Sequence, residues 1–161
     1  MRNKAILIGS CCALLCVVAT RGWSAGPYGH VVIAHQVITE INGGNTWVPP
    51  ELKESLRDHA GRLAFRGGAI APDLCEARSH YGNTADLAHD LMSSARADLI
   101  RAEHAGSKEA MAEAHREIAF AYGWLSHCAA DLVVHPRVNA VVGDTFRFCA
   151  KGQRLLHGAT E

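Results

Sequence analysis

Apolar positions along this chain recur at helical spacing, and no stretch shows the alternation of apolar and polar residues that a strand would give. The spacing predicts helices over residues 28–41, 51–65, 84–103 and 108–134, and a further helix from about residue 138 towards the C-terminus. We therefore expect an all-α fold, arranged as a single-domain helical bundle.

Glycine, proline and a capping serine mark the predicted ends of these helices. Asn42-Gly43-Gly44 ends the first helix, Gly67-Gly68 ends the second, and Pro136 ends the long one. Ser107 stands where it would cap the N-terminus of the long helix. The stretch 68–73 is predicted to be a turn, and 74–83 is predicted to be a loop.

The N-terminus has the pattern of a secretory signal peptide. Arg2 and Lys4 precede the uncharged, largely apolar run 5–20, which is shorter than the roughly 20 residues of a membrane span. Small residues are required at the −3 and −1 positions of a cleavage site, and Gly22 and Ser24 satisfy both if cleavage leaves Ala25 as the first residue. We expect a signal peptide over 1–24, a mature domain over 25–161 without a transmembrane segment, and a secreted or periplasmic protein.

Charge and cysteine content change once the signal is removed. The whole chain balances 16 basic against 16 acidic residues, and loss of Arg2, Lys4 and Arg21 leaves the mature domain net negative. This argues against a protein that binds nucleic acid through charge alone. Of the six cysteines, Cys75, Cys128 and Cys149 remain, so at most one intramolecular disulfide forms, and the pairing stays open.

The candidate chemistry lies in the histidines, of which the chain has 10. His127, Asp131 and His135 are spaced i, i+4, i+8, so they share one face of the predicted long helix, inside an apolar stretch. Burying a carboxylate and two imidazoles is costly unless they are paired or bind a metal. The spacing therefore favours a zinc site, and a structural Asp–His hydrogen bond is the alternative.

Four other positions carry residues of the same chemistry. His157 and Glu161 form a second i, i+4 pair, for which a solvated surface pair is the alternative. Asp73 is the last residue of the predicted turn, where it either points inward as a ligand or caps the turn. His89 lies on a predicted helix and is favoured over His80 for that reason. His59, His104 and His115 fall in charged stretches and are predicted to be solvated.

Together these residues resemble the zinc-dependent phospholipase C family, whose superfamily includes the S1/P1-type single-strand nucleases. The resemblance covers essentially the whole mature chain and implies an α-helical bundle that holds three zinc ions. It is carried by five pieces in order: Gly-Pro-Tyr-Gly-His30, Gly-Ala-Ile-Ala-Pro-Asp73, His89, Gly-Trp-Leu-Ser-His127 through Asp131 to His135-Pro, and His157-Gly-Ala-Thr-Glu161.

The resemblance also implies a ligand set for two to three zinc ions. One ion would be bound by Asp73, His89, His127 and Asp131. A second would be bound by His30 and the free N-terminus of Ala25, with Asp131 as a bridge. A third would be bound by His135, His157 and Glu161. Asp73 would in addition be the catalytic acid or base.

The function implied is a secreted zinc-dependent phosphodiesterase, most simply a phospholipase C that hydrolyses phospholipids and contacts a membrane surface transiently. A single-strand nuclease is the alternative enzyme, although the family's nuclease branch usually ends its last pair in Asp rather than the Glu161 found here. The negative mature charge also disfavours a stable nucleic-acid partner.

A non-catalytic zinc-binding helical protein is the alternative outside the enzymes. The chain has a shorter Asp131–His135 spacing than well-known family members, and Ala25 in place of their first-residue Trp. It also stops at a proposed ligand, Glu161, as a C-terminally truncated domain would.

Overall fold

The computed structural model describes residues 27–44, 47–74 and 84–142. These residues form five helices and no strand, which confirms the all-α prediction. The helices are α1 (Pro27–Asn42), α2 (Pro50–Ser55), α3 (His59–Leu74), α4 (Thr84–Ala105) and α5 (Lys108–Val142). The predicted separate helix from about residue 138 is wrong as far as Val142, because α5 runs through these residues without a break. The predicted signal peptide, the rest of the predicted C-terminal helix and the residues Ala25, Cys75, His80, Cys149, His157 and Glu161 lie outside the described residues.

The long helix α5 is the element around which the others pack. It lies against α3 and α4 along most of their lengths, while α1 packs on α3 and the short α2 contacts α5. The largest fully buried apolar side chains are Phe65, Leu56 and Ile118, which come from α3, the α2–α3 junction and α5. Within the described ranges, no helix has the length and apolar content needed to cross a bilayer.

The second predicted helix is in fact two helices. The chain leaves the helical path at 56–58, and Asp58 starts α3 by accepting a hydrogen bond from the Gly61 amide on its Oδ1 at 2.6 Å. This is the geometry of an N-cap. The apolar pattern continues without a break because Leu52, Leu56 and Phe65 all face the same core. The spacing therefore could not predict that the chain changes direction between α2 and α3.

Gly67-Gly68 does not end a helix, and 68–73 is not a turn, because α3 continues to Leu74. Gly68 lies against the α5 backbone, where a Cβ would overlap the Phe120 carbonyl. Gly123 in α5 lies in the same way against the Phe65 carbonyl of α3. These glycines are therefore contact residues at a close helix crossing.

Pro136 does not end α5, which continues to Val142. Pro72 is likewise inside α3 and is fully buried. A proline removes one backbone donor and bends a helix. Each proline falls within the last turns of its helix, where few backbone hydrogen bonds remain to be disturbed.

A polar network attaches α2 to α4 and α5. The Arg96 guanidinium donates two hydrogen bonds to the Glu51 carboxylate, which also accepts one from the Tyr122 hydroxyl at 2.7 Å. Burial alone would raise the pKa of Glu51, but the hydrogen bonds from Arg96 and Tyr122 and the charge of Arg96 outweigh it and lower that pKa. Burial and the hydrogen bond to Glu51 in turn raise the pKa of Tyr122. We call these three residues the Glu51 network.

His115 extends this attachment and is not the solvated residue that the charge pattern predicts. It is half-buried, and its Nδ1 lies 3.1 Å from the Oγ of Ser55 at the end of α2. The Ser55 hydroxyl also donates to the Glu51 carbonyl at 2.7 Å. The charged neighbours of His115 in sequence lie on other faces of α5, so composition did not show the contact.

Candidate metal centre

The candidate site lies immediately beyond the crossing of α3 and α5. His127 and Asp131 follow Gly123 by one and two turns of α5, and Asp73 follows Gly68 by about a turn and a half of α3. His30 reaches the same place from the first turn of α1. Three helices thus bring together four of the residues singled out in the sequence.

His127 is held by a backbone hydrogen bond that fixes which of its nitrogens faces the site. Its Nδ1 lies 2.9 Å from the carbonyl oxygen of Ala69 in α3. A carbonyl only accepts, so Nδ1 carries the proton and donates. The Nε2 then faces two carboxylates, at 3.0 Å from Asp131 Oδ2 and 3.9 Å from Asp73 Oδ1.

The charge around His127 attracts a cation. Burial alone would lower the pKa of His127, but the hydrogen bond with Asp131 and the negative charges of Asp131 and Asp73 outweigh it, and the pKa is raised. The carboxylates that stabilise a proton on Nε2 would stabilise a divalent ion there in the same way. A divalent ion bound at this position would therefore compete with a proton for Nε2.

His30 is the most informative residue of the site. It is 1% exposed, and its ring stacks on that of His127 with centroids 3.8 Å apart. Its Nε2 lies 3.3 Å from Asp131 Oδ1 and 3.8 Å from Asp73 Oδ2. Among the described residues, neither ring nitrogen of His30 has a hydrogen-bond partner. A buried polar group left in this state costs about 1–3 kcal/mol, which a bound metal ion would offset.

The donor set fits zinc. Ligand atoms of His30, Asp73 and His127 all lie within 4.8 Å of one another, and Asp131 adds a second carboxylate that contacts both imidazoles. Imidazole nitrogens and carboxylate oxygens are usual zinc ligands. Both carboxylates are slightly exposed, at 15% and 16%, whereas each imidazole is 1% exposed. The site is therefore accessible from its carboxylate side.

The structure does not bring His89 into this group. Its side chain is 60% exposed on α4, with Nδ1 4.0 Å from Asp90 Oδ1. At this turn α4 buries Ala88, which is 0% exposed, and so turns the next residue outward. The histidine that lies beside Asp73, His127 and Asp131 is His30.

The structure describes no side chain of the other predicted ligands. His135 lies on α5 one turn beyond Asp131, as the sequence predicts. Ala25, His157 and Glu161 belong to the segments outside the described residues, so their roles remain predictions.

Two features of the site were not found from the sequence. One is the Ala69 carbonyl, because a backbone acceptor leaves no mark in residue type. The other is the pair Gly68 and Gly123. Gly123 stands inside the predicted long helix, where alanine would be preferred, whereas Gly68 was interpreted as part of a helix end.

Comparison with known families gives one match. The family model described as zinc dependent phospholipase C matches residues 29–161, which is most of the chain and includes all four residues of the site. No curated protein and no solved structure matches the chain.

Proposed function

The chain belongs to the zinc-dependent phospholipase C family, and from this premise we propose that it is a secreted phosphodiesterase that hydrolyses phospholipids with a multi-zinc centre. Membership supports the general function of this zinc-dependent family, and the described residues include a group that could hold a metal ion. The reaction, the substrate, the number of ions and the secretion are our proposal.

The observation that carries the proposal is the environment of His30. A histidine that is 1% exposed, stacked on His127 and facing two carboxylates has both ring nitrogens without a hydrogen bond in the described structure. A core histidine with a purely structural role would donate at least one hydrogen bond. Zinc ligation accounts for this burial, and the nearby carboxylates supply the negative charge that a zinc ion requires.

The residues of the centre divide the work of hydrolysis. Bound zinc would supply a Lewis acid that stabilises negative charge on a phosphodiester and makes water more acidic. His127, oriented by Ala69, and the buried His30 would hold the ion from the protein side. Asp73, at the accessible edge, would exchange a proton at its carboxylate with water or with the leaving group.

A lipid substrate is supported by exposed apolar side chains on the helices that carry the site. Tyr28, Leu74 and Leu132 lie one or two positions from His30, Asp73 and Asp131, and are 90%, 74% and 71% exposed. Exposed apolar side chains on the same helical turns as the candidate ligands suit a substrate whose phosphate is attached to an apolar body. A nuclease would need a basic groove, which the net negative charge of the predicted mature domain disfavours.

The multi-zinc centre and the secretion rest on the predicted residues at the two ends of the chain. The free amine of Ala25 would bind a second ion with His30, and His135, His157 and Glu161 would bind a third. An amine with an ordinary pKa of about 8 gives up its proton readily to zinc. An extra residue before Ala25 would leave only an amide nitrogen at that position, which is a poor ligand.

The test is metal analysis and substrate hydrolysis with protein that begins at Ala25. We expect about two to three zinc ions per chain and hydrolysis of p-nitrophenylphosphorylcholine and phosphatidylcholine vesicles. Hydrolysis of single-stranded DNA without hydrolysis of phospholipid would establish the nuclease instead. Zinc without any turnover would establish a non-catalytic zinc protein, and less than about one zinc per chain would overturn the proposal.

A matched protein with one Met before Ala25 tests the N-terminal ligand. We expect it to lose part of its zinc and most of its activity. Equal zinc content and turnover in the two forms would remove Ala25 from the ligand set. Export itself is tested by expressing the full chain and sequencing the N-terminus of the exported protein, which should begin at Ala25.

A further inference from the structure

The helices α3 and α5 cross so closely that their two contact positions, Gly68 and Gly123, have no room for a Cβ. A Cβ on Gly68 would overlap the Phe120 carbonyl and would lie 3.0 Å from the Trp124 amide nitrogen. A Cβ on Gly123 would overlap the Phe65 carbonyl and would lie 3.0 Å from the Ala69 amide nitrogen. The two contacts are reciprocal, since each glycine meets the backbone of the opposite helix.

We propose that Gly68 and Gly123 are positioning residues for the metal centre, an inference that rests on the proposed function. Their role is to set the separation of α3 and α5 at which ligands from the two helices converge.

The contact next to the glycines is the one that orients His127. Ala69 follows Gly68 directly, and its carbonyl accepts the hydrogen bond from His127 Nδ1 at 2.9 Å. His127 in turn follows Gly123 by one helical turn, about 6 Å along the axis. The hydrogen bond thus spans the same interhelical gap that the glycines narrow.

The distances between candidate ligands on α3 and α5 also depend on the width of this gap. Asp73 Oδ1 on α3 lies 3.9 Å from His127 Nε2 on α5. By contrast, His127 and Asp131 both belong to α5, and their 3.0 Å contact does not depend on the crossing. Wider separation would therefore move Asp73 and the Ala69 carbonyl away from the pair on α5 and leave that pair intact. His30, 1% exposed with two ring nitrogens lacking hydrogen bonds among the described residues, marks the gap as a ligand site.

The chain offers two matched glycines as controls. Gly67 is adjacent to Gly68, but a Cβ there would meet the Phe120 ring at 3.9 Å, an ordinary contact. Gly61 lies at the other end of α3, about 18 Å from Asp73 along the helix. A Cβ on Gly61 would overlap the Ser55 carbonyl, so Gly61→Ala disturbs a close backbone contact without disturbing the metal centre.

The experiment compares Gly68→Ala and Gly123→Ala with Gly67→Ala and Gly61→Ala in the mature protein. Zinc affinity is measured by competition with a chromogenic chelator, and free energy of unfolding is measured by urea denaturation. We expect zinc affinity to fall about 10- to 100-fold in Gly68→Ala and Gly123→Ala. It should stay within about two-fold in Gly67→Ala and in Gly61→Ala, even though Gly61→Ala loses stability. Unchanged zinc affinity in folded Gly68→Ala or Gly123→Ala overturns the inference, as does an equal loss in Gly61→Ala.

A second measurement needs no variant and keeps the inference falsifiable if the crossing variants do not fold. The ¹⁵N chemical shifts of His127 in the zinc-loaded protein should show a protonated Nδ1 and a metal-bound Nε2. Zinc on Nδ1 would mean that the Ala69 carbonyl does not orient this ligand, and would overturn the inference. A wild-type protein that binds no zinc contradicts the proposed function itself, whereas zinc binding with the wrong nitrogen contradicts only the positioning role.

Discussion

Single residues at the metal centre differ in how firmly the protein fixes them. His127 is set by a hydrogen bond from α5 to the α3 backbone. Asp131 contacts both imidazoles, with Oδ1 3.3 Å from His30 and Oδ2 3.0 Å from His127. Asp131 is therefore the residue on which the relation between the two histidines depends.

Replacement of Asp131 by Asn should remove the function of the site. The amide keeps the shape of the carboxylate but loses its negative charge, which both histidines face. We expect Asp131→Asn to lower phosphodiesterase activity at least about 100-fold and to lower zinc affinity about 10- to 100-fold. Elemental analysis and p-nitrophenylphosphorylcholine hydrolysis measure the two effects.

Asp90→Asn is the matched control for this change. Asp90 is 82% exposed on α4, so its replacement should leave zinc content and turnover within about two-fold of wild type. Similar losses in both variants would show that the α5 face has been misassigned. His115→Ala would be a poor control, because His115 contacts Ser55.

At the scale of elements, α3 supplies a helix cap, a close contact with α5 and a residue of the candidate metal centre. Asp58 caps its first turn, Gly68 fits against α5 in its middle, and Asp73 reaches the site from its last turn. The start of α3 is far from the candidate metal centre. Substitutions there can therefore change the stability of the helix without changing the chemistry of the site.

Asp58→Ala should weaken the start of α3 without changing the site. The Asp58 carboxylate accepts the Gly61 amide hydrogen bond at 2.6 Å, and loss of such a cap costs about 1 kcal/mol. Urea denaturation should show this loss, and zinc affinity should remain unchanged. Asp58→Ser retains a capping oxygen and should lose less than half as much. Equal losses in the two variants would mean that the side chain does not act as a cap.

The helices were predictable from the sequence, and their junctions were not. The i, i+4 spacing of His127 and Asp131 is a local property of one helix, so it predicted their shared face correctly. The Gly67-Gly68 pair was misinterpreted as a helix end because its reason lies in Phe120, some 50 positions further along the chain. His30 was assigned to the metal centre by family resemblance, because a contact between α1 and α5 has no local signal.

At the scale of the whole molecule, the Glu51 network adds polar contacts between three helices that also share the apolar core. Glu51 from α2 accepts hydrogen bonds from Arg96 of α4 and Tyr122 of α5. The short α2 is only six residues long, so it depends on such contacts for its place in the fold.

The network should make stability depend on pH in the acidic range. Folding lowers the pKa of Glu51 below its ordinary value of 4.5. Its contribution is therefore complete above pH 4.5 and is lost as pH falls through the lower pKa of the folded state. We expect Glu51→Gln to cost about 1 kcal/mol at pH 7, and this difference from wild type should shrink as the solution is acidified.

Urea denaturation of wild type and Glu51→Gln from pH 7 to pH 3 measures this difference. Loss of zinc at low pH should affect both proteins equally, because their metal ligands are the same. Glu54→Gln is the control on the same helix, since Glu54 pairs with Arg57 on the surface. It should cost less than about 0.5 kcal/mol at any pH. A pH-independent cost of Glu51→Gln would show that the carboxylate charge is not what matters.

The placement of the metal ligands on α1, α3 and α5 also determines the order of events as the chain folds. His127 and Asp131 meet as soon as one turn of helix forms, but His30 joins them only after a loop of nearly 100 residues has closed. Closure of so long a loop comes late, because its entropic cost must be met before the contacts form. We therefore expect the His127–Asp131 pair on α5 to form before His30 joins it, so that the candidate metal centre is complete only when α1 has docked.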